Sequence, residues 1–325
     1  MRGTRAAASP DQDGWDPASH IGPIRDSSRA EAAAATRWIV RRRGGIGWLY
    51  RRLADDDSRR LLVDLLAHRV MGSRRIAFGP ARPTREGVVR FARTALACDT
   101  SGLRYDLAPI GLDLSVQATP MFAVHTFLLE QYLHPSIEDA NPRSGDCAVD
   151  GGAFWGDTAL WLAERCGPDG LITAFEMDPA NARVLESNLR GNPEMGRRVR
   201  VRREALWDET RELALHPAGA GSTVGGGQGV RAHAVAFDDL VDSGELERVD
   251  FIKLDVEGAE ARVLRGALET IRRFRPRLAV AAYHRWDDLV DLPRLVSAAA
   301  PDYRFALTHR SLHQYDTVLF AWPRW

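Results

Sequence analysis

The sequence has very little lysine and no net charge. Lys253 is the only lysine in a chain of 325 residues with 44 basic side chains, so arginine supplies nearly all of the positive charge, a bias typical of genome composition rather than of mechanism. The formal net charge is zero and the isoelectric point is about 7.1. Without an excess of charge to attract a polyanion or an anionic surface, we expect neither nucleic acid nor a membrane as a partner.

Cysteine and long apolar runs are scarce as well. The three cysteines, Cys98, Cys147 and Cys166, are an odd number, lie far apart and fit no metal-binding spacing, which predicts reduced thiols. No stretch approaches the roughly 18 apolar residues of a membrane span. The N-terminus is basic but has no apolar segment of the kind that a secretory signal needs, so none is expected. These features predict a cytoplasmic protein.

The pattern of the chain divides it into three regions. Residues 1–28 mix proline, glycine, aspartate and serine without periodicity, which predicts a disordered lead. Residues 29–140 open with helical periodicity and predict a helical region that caps the substrate site. Residues 141–325 alternate strand-like and helix-like segments, which predicts a ligand-binding α/β domain with a doubly wound, mostly parallel sheet.

Seven strands are expected in this sheet. The last two, 303–310 and 316–323, are joined by only five residues, too few for a crossover, so they should form an antiparallel hairpin. Residues 199–208 indicate a single third strand, and 119–133 indicate a helix that leads towards the sheet. The glycine-rich segment 219–229 lacks the Lys-Ser/Thr ending of a phosphate-binding loop, which favours a mobile surface loop near the mouth of a site.

A glycine-rich turn follows the first strand, in DGGAFWGD at 150–157. Ligands of doubly wound sheets bind beyond the carboxyl ends of the strands. Glycines there allow the backbone to approach a ligand closely, and the helix that follows offers free N–H groups. Asp150, directly before the glycines, would repel a pyrophosphate and suits a cationic or amino-bearing ligand. A tight turn without a ligand is the alternative at this position.

The second strand ends in FEMD, with Glu176 about two dozen residues after Asp150. A carboxylate at that place can accept hydrogen bonds from both hydroxyls of a ribose. The alternative role, capping the next helix, is already filled by Asp178 in front of Pro179. The sequence therefore predicts that Glu176 holds a ribose.

The charges of FIKLDVEGAE (251–260) interrupt a strand that should be central. Alternation places Lys253, Asp255 and Glu257 on one face, where charge would be costly inside the core. We therefore expect them at the carboxyl edge, above the ligand cleft; a buried Lys–Asp pair is the alternative for Lys253. His284 ends the neighbouring strand in AAYHR, and its expected proximity to Asp255 and Glu257 makes it a candidate general base.

Taken together, these motifs resemble the FkbM-type S-adenosylmethionine-dependent methyltransferases. The resemblance rests on DGGAFWGD, FEMDPANARVLESNL, EALWD, FIKLDVEGAEARVLRGA and YHR; it is firm over residues 125–325 and looser over the helices upstream. It implies the class I methyltransferase (Rossmann-like) fold in residues 141–325, with S-adenosylmethionine as cofactor. It also implies O-methylation of a small molecule, sugar or secondary metabolite. One position departs from the general methyltransferase loop, which has glycine where Phe154 stands.

The motifs and the resemblance indicate two sets of site residues. The cofactor set is Asp150, Gly151, Gly152, Phe154, Gly156, Asp157, Thr158, Glu176, Met177, Ala205, Leu206 and Asp255. In the catalytic set, His284 is the base, and Asp255 and Glu257 orient the acceptor, the imidazole or the amino group of the cofactor. No metal is assigned, although these three side chains could instead hold a divalent cation.

Three other functions stay open. N-methylation of a small molecule would use the same fold. A nicotinamide-dependent oxidoreductase is disfavoured because the glycine pattern is not G-x-G-x-x-G and because of the acid at Asp150. A cofactor-binding protein without turnover is disfavoured by a set of groups present together: Asp150, Glu176, Asp255, Glu257 and His284.

Overall fold

The computed structural model describes seven stretches of the chain. They are residues 26–76, 87–88, 90–96, 103–216, 223–225, 230–310 and 316–324. Two sequence predictions fall mainly outside them. Of the disordered lead 1–28 only 26–28 are described, and of the glycine-rich segment 219–229 only Thr223–Gly225. Cys98 also lies outside, whereas Cys147 and Cys166 are free thiols.

Two long helices open the described chain: α1 (Arg29–Arg52) and α2 (Asp56–Met71). A capping box begins α1, because the Ser28 side chain accepts the N–H of Glu31 while the Glu31 carboxylate accepts the N–H of Ser28. The sequence pattern therefore located the start of α1 correctly, at Arg29.

A small antiparallel sheet and a short helix follow. They are β1 (Arg104–Asp106), β2 (Ser115–Gln117) and α3 (Pro120–Ala123). The chain then widens into a π-helical turn, Val124–Leu128, and leaves the helix at Glu130, whose φ is 46°. The predicted helix over 119–133 is therefore too long. π-Helical turns are frequent at functional sites, and this one lies against the cavity described below.

The remaining described elements build the α/β region. The strands are β3 (Cys147–Gly151), β4 (Leu171–Phe175), β5 (Val199–Arg202), β6 (Ala205–Leu206), β7 (Arg211–His216), β8 (Thr223–Gly225), β9 (Val230–Val235), β10 (Phe251–Leu254), β11 (Arg277–Ala281), β12 (Arg304–Thr308) and β13 (Val318–Trp322). The helices are α4 (Asp157–Cys166), α5 (Pro179–Gly191), α6 (Pro193–Gly196), α7 (Phe237–Asp242), α8 (Glu260–Arg265), α9 (Leu268–Phe274) and α10 (Asp288–Ala299).

The central sheet has seven strands in the order β5-β4-β3-β10-β11-β13-β12. The first five run parallel, and β13 is antiparallel to both β11 and β12. The predicted seven-stranded sheet with an antiparallel terminal hairpin is confirmed. The chain continues from β3 to β4 on one side of β3, whereas β10 pairs with the other side of β3. The strand order therefore reverses between β3 and β10. Ligands of doubly wound sheets bind at such a point.

The segment 199–208 differs from its prediction as a single strand. Its first half, β5, ends the central sheet, while β6 joins a separate sheet of order β6-β9-β7-β8. Apolar residues resume at Ala205 after the charged residues Arg203 and Glu204. The pattern therefore does not show that the chain changes sheets between β5 and β6. The consequence is that Ala205 and Leu206 arrive beside the end of β4.

The two faces of the central sheet carry different layers. Buried side chains of the segment 92–140 pack with Trp161 and Phe251 on one face, whereas Leu49 and Leu62 of α1 and α2 pack on the other face, with Ile252. The N-terminal region is therefore divided, and only its later part is placed to cover a site. None of the helices in the described part of the chain is long and apolar enough to cross a bilayer.

Candidate active site

A cavity of about 300 Å³ lies at the carboxyl ends of β3, β4, β10 and β11. Its opposite wall comes from the segment 121–132, the only part of the described region 29–140 that lines it. The predicted site residues that line the cavity are Gly152, Phe154, Asp157, Thr158, Glu176, Met177, Ala205, Leu206, Asp255 and Glu257. The structure thus brings most of the predicted cofactor set and two of the three predicted catalytic residues to one place.

Asp150 lies behind the cavity rather than in it. Its carboxylate is fully buried and forms an ion pair with Lys253, with 2.9 Å between Nζ and Oδ1. The Thr158 hydroxyl donates to its other oxygen at 2.6 Å. Burial lowers the pKa of Lys253, but the charges of Asp150 and Asp255 outweigh that effect and raise it. The only lysine of the chain is thus the cation that Asp150 binds, and a contact between Asp150 and the cofactor stays a prediction.

Gly152 allows the turn after β3 to pass close to the end of β10, beside the cavity. Its φ is 78°, and a Cβ there would lie 1.9 Å from the carbonyl oxygen of Asp255. No other residue fits this turn without moving the end of β10. Gly151 and Gly156, also predicted as cofactor contacts, do not line the cavity. The room for a Cβ at these two positions is taken by the side chains of Leu254 and Leu185.

Phe154 keeps the backbone conformation that a glycine would have at its position. Its φ is 49°, in the left-handed region, and its N–H donates to Glu176 Oε2 at 2.8 Å. The Phe154 ring stacks on Trp155 with 5.1 Å between centroids and contacts Phe122 at 4.9 Å. Phenylalanine in place of the usual glycine therefore leaves the turn intact. It adds an aromatic contact to the segment 121–132, which covers the cavity and is called the covering segment below.

Glu176 is held in place by two backbone hydrogen bonds. Oε1 accepts the N–H of Asp178 at 2.7 Å and Oε2 accepts the N–H of Phe154 at 2.8 Å, so the carboxylate is fixed with lone pairs left on both oxygens. Burial raises the pKa of Glu176 to about 7, against the effect of those two hydrogen bonds. Met177, Ala205 and Leu206 supply apolar walls nearby, which suit an adenine ring.

Asp157 and Thr158 open helix α4 beside the glycine turn. Asp157 is buried and accepts a hydrogen bond from the Thr126 hydroxyl at 2.6 Å. Burial raises the pKa of Asp157 to about 6, while that hydrogen bond acts in the opposite direction. Thr126 belongs to the π-helical turn, so this hydrogen bond joins the covering segment to the start of α4.

The other end of the cavity is built around Asp255. Its carboxylate accepts the hydroxyl of Tyr132 at 2.7 Å and the hydroxyl of Tyr283 at 3.1 and 3.2 Å. Burial, together with the Asp255 charge, raises the pKa of both phenols, so they stay donors. Sequence analysis did not single out these tyrosines. Tyr283 stands in the YHR motif, directly before the histidine that drew attention.

His284 lies where three carboxylates meet. Its Nδ1 is 2.9 Å from Glu260 Oε1, and its Nε2 is 3.4 Å from Glu257 Oε2 and 3.6 Å from Asp255 Oδ1. Burial lowers the pKa of the imidazole, but the carboxylates of Glu257, Glu260 and Asp255 outweigh it and raise the pKa of His284 to about 11. The predicted neighbours Asp255 and Glu257 are therefore present, and the carboxylates around the ring favour its charged form; the role of His284 as the general base stays a prediction.

The fold is that of a class I methyltransferase, as the sequence resemblance implied. The family model for the methyltransferase FkbM domain matches residues 139–307, just over half of the chain. The chain therefore belongs to the FkbM methyltransferase family. A comparison with curated protein sequences gave no match.

Solved structures are similar in fold. The FkbM methyltransferase of Methylobacillus flagellatus KT has a TM-score of 0.59 and 22% sequence identity, over 88% of this chain and 60% of that one. This chain therefore spans about 60% of the length of that protein. The O-methyltransferase TomG of Streptomyces achromogenes, involved in tomaymycin synthesis and solved with S-adenosylmethionine, has a TM-score of 0.41 and 15% identity, over 76% of this chain and 100% of that one.

Proposed function

We propose that the chain transfers the methyl group of S-adenosylmethionine to a hydroxyl oxygen of a small molecule. When bound, S-adenosylmethionine supplies a methyl group on a sulfonium, which a nucleophile can attack in line. The observation that carries the proposal is that one cavity joins Glu176, at the end of β4, to Asp255 and Glu257, after β10. One end suits a ribose, and the other suits a group that must lose a proton.

Gly152 divides these two ends. With the ribose on Glu176 and the adenine against Met177, the methionine part of the cofactor would extend along the glycine turn towards Asp157. Its methyl group would then face the Asp255 end, where an acceptor can be held in line. Alignment of this kind supplies much of the rate enhancement in group transfer.

Carboxylates at the acceptor end favour oxygen over nitrogen as the nucleophile. A hydroxyl that donates its proton to Asp255 or Glu257 keeps its lone pairs free for attack on the methyl group. An amine held there would be drawn in as its protonated form, which has no lone pair to offer. The tyrosine hydroxyls and carboxylates of this end suit a sugar or a hydroxylated secondary metabolite, and the segment 121–132 would close over it.

The proposal is tested by binding and turnover together. Calorimetry should show binding of S-adenosylmethionine and none of NAD. A panel of sugars and hydroxylated metabolites should yield S-adenosylhomocysteine with one acceptor class, and NMR of the product should show a methyl ether. A methylamine product would support N-methylation instead. Cofactor binding without turnover on any acceptor of the panel would count against the proposed reaction.

Glu176→Ala is expected to weaken S-adenosylmethionine binding by roughly 1.5–3 kcal/mol, because a hydrogen bond to a charged acceptor is lost. In the unsubstituted protein the affinity should also fall as the pH drops below the Glu176 pKa of about 7, since the neutral acid accepts the ribose hydroxyls less strongly. Calorimetry from pH 6 to pH 8 measures both effects.

Glu176→Gln provides the matched control for the pH effect. It keeps the shape of the side chain but cannot ionise, so its affinity should be low and nearly constant over the same pH range. A folded Glu176→Ala variant with unchanged affinity would remove Glu176 from the cofactor site. A Glu176→Gln variant that retains the pH dependence would assign the effect to another group.

A further inference from the structure

Three ligand atoms converge at the acceptor end of the cavity. The carboxylates of Asp255 and Glu257 and the Nε2 of His284 each offer one atom, and the three atoms lie within 4.8 Å of one another. The two distances from Nε2, 3.4 and 3.6 Å, are longer than a charge-assisted hydrogen bond of about 2.7–2.9 Å. Neighbouring ligands of one ion lie about 3.0–3.6 Å apart when the bonds are about 2.1–2.2 Å. The spacing therefore fits a shared cation.

Glu260, outside this group of three, fixes the orientation of His284. It is fully buried, and its Oε1 accepts the N–H groups of Val256 at 2.9 Å and Gly258 at 3.3 Å. The same oxygen is 2.9 Å from His284 Nδ1, so its negative charge favours the tautomer that carries the proton on Nδ1. The Nε2 lone pair is left to face Asp255 and Glu257. A carboxylate on the far nitrogen is the usual partner of a metal-binding histidine.

Asp255 has the outer partners that a ligating carboxylate usually has. The hydroxyls of Tyr132 and Tyr283 donate to it and hold it at the end of β10. One buried carboxylate thus orients the imidazole, while the buried phenol of Tyr132 and the half-buried phenol of Tyr283 orient the aspartate. Such partners are found around metal ligands because they fix direction and keep the ligand basic.

We propose that Asp255, Glu257 and His284 bind a divalent cation at the acceptor end of the cavity. Two carboxylates and one imidazole form a mixed oxygen and nitrogen set that suits Mn²⁺ or a similar first-row ion. Asp255 and Glu257 line the cavity whereas His284 does not, so the open positions of the ion face the cavity. The second part of the inference rests on the proposed function: those positions would take the acceptor hydroxyl, whose proton a bound cation makes easier to remove.

Binding of Mn²⁺ to the full chain, freed of metal by a chelator, tests the site without any methyl transfer. Electron paramagnetic resonance should show one tight site, and Asp255→Asn, Glu257→Gln and His284→Ala should each weaken it by at least about tenfold. Glu260→Gln, which touches only the histidine of the three ligands, should weaken it by about 10–100-fold. The exposed Asp242→Asn serves as the matched control and should bind as the unsubstituted chain does.

Two results on the metal-treated protein would overturn the site, and one result on turnover would do so as well. One is Mn²⁺ binding that is equally weak in the unsubstituted chain and in Glu257→Gln while both are folded by circular dichroism. The other is NMR of the metal-treated protein showing both nitrogens of His284 protonated. Methyl transfer that proceeds fully in a chelator would also defeat the site while leaving the proposed function in place. Tight Mn²⁺ binding without methylation of any acceptor would support the metal site and count against the proposed function.

Discussion

Glu257→Gln is expected to lower the kcat of methyl transfer by about 10²–10⁴-fold, the range that a positioned proton acceptor contributes. The substitution keeps the length of the side chain and removes its charge. That charge either takes the proton of the acceptor or holds the cation inferred above, and both roles require it. Affinity for S-adenosylmethionine should stay unchanged, because the ribose end of the cavity lies on the other side of Gly152.

Stability separates this effect from unfolding. The Glu257 side chain is 34% exposed, so the variant should melt at the temperature of the unsubstituted chain. Glu247→Gln, an exposed carboxylate elsewhere in the described chain, is the matched control and should keep full kcat. If Glu257→Gln also kept full kcat, the acceptor would be activated by its position alone, and the charge after β10 would have a structural role.

Lys253→Met is expected to lower the free energy of unfolding by about 3–5 kcal/mol, because it leaves the charge of Asp150 buried without its cation. Both side chains are at most 3% exposed, and the ammonium also donates to the carbonyl of Gly152 at 2.8 Å. The loss should be visible as a lower midpoint in urea with an unchanged slope.

The double variant Asp150→Asn/Lys253→Met assigns the cause of that loss. Removing both charges takes away the unpaired carboxylate, so most of the lost stability should return, as a double-mutant cycle would measure. If the double variant were as unstable as Lys253→Met, the lysine would act mainly through its bond to Gly152. In that case the ion pair itself would contribute little.

The cofactor end of the site could be predicted because parallel strands end at one edge of a sheet. Glu176 and Asp255 each follow a strand directly, and a residue in that place must lie over the cleft whatever the rest of the chain does. Gly152 could be predicted for a similar reason, since the turn after β3 has to pass the end of β10. Local pattern and topology were sufficient for these positions.

The partner of each charge could not be predicted in the same way. A buried Lys–Asp pair was an alternative for Lys253, but which aspartate pairs with it depends on strand register, and Asp150 is its register partner on the adjacent strand. The surroundings of His284 likewise depend on Glu260, whose carboxylate reaches the ring from the first residue of α8. Pairings of this kind depend on which strands and helices become neighbours rather than on the residues beside each group.

The side chains by which the segment 121–132 reaches the site were missed because they are distant in sequence and mixed in type. Thr126 reaches Asp157 from the π-helical turn and Tyr132 reaches Asp255 from the turn after it, where neither a period of 3.6 nor a period of 2 holds. A motif search finds residues that follow strands, whereas these side chains are brought to the site by the packing of one layer on another.

The burial of Lys253 has a practical consequence for chemical labelling. It carries the only side-chain amine of the protein, and it is 2% exposed beneath the glycine turn. Reagents that acylate amines will find none on the folded surface beyond the α-amino group of the chain terminus. A second acyl group on the protein would mark a molecule whose β3 and β10 have separated. Mass spectrometry after mild acylation therefore measures the fraction of molecules in which the sheet has opened.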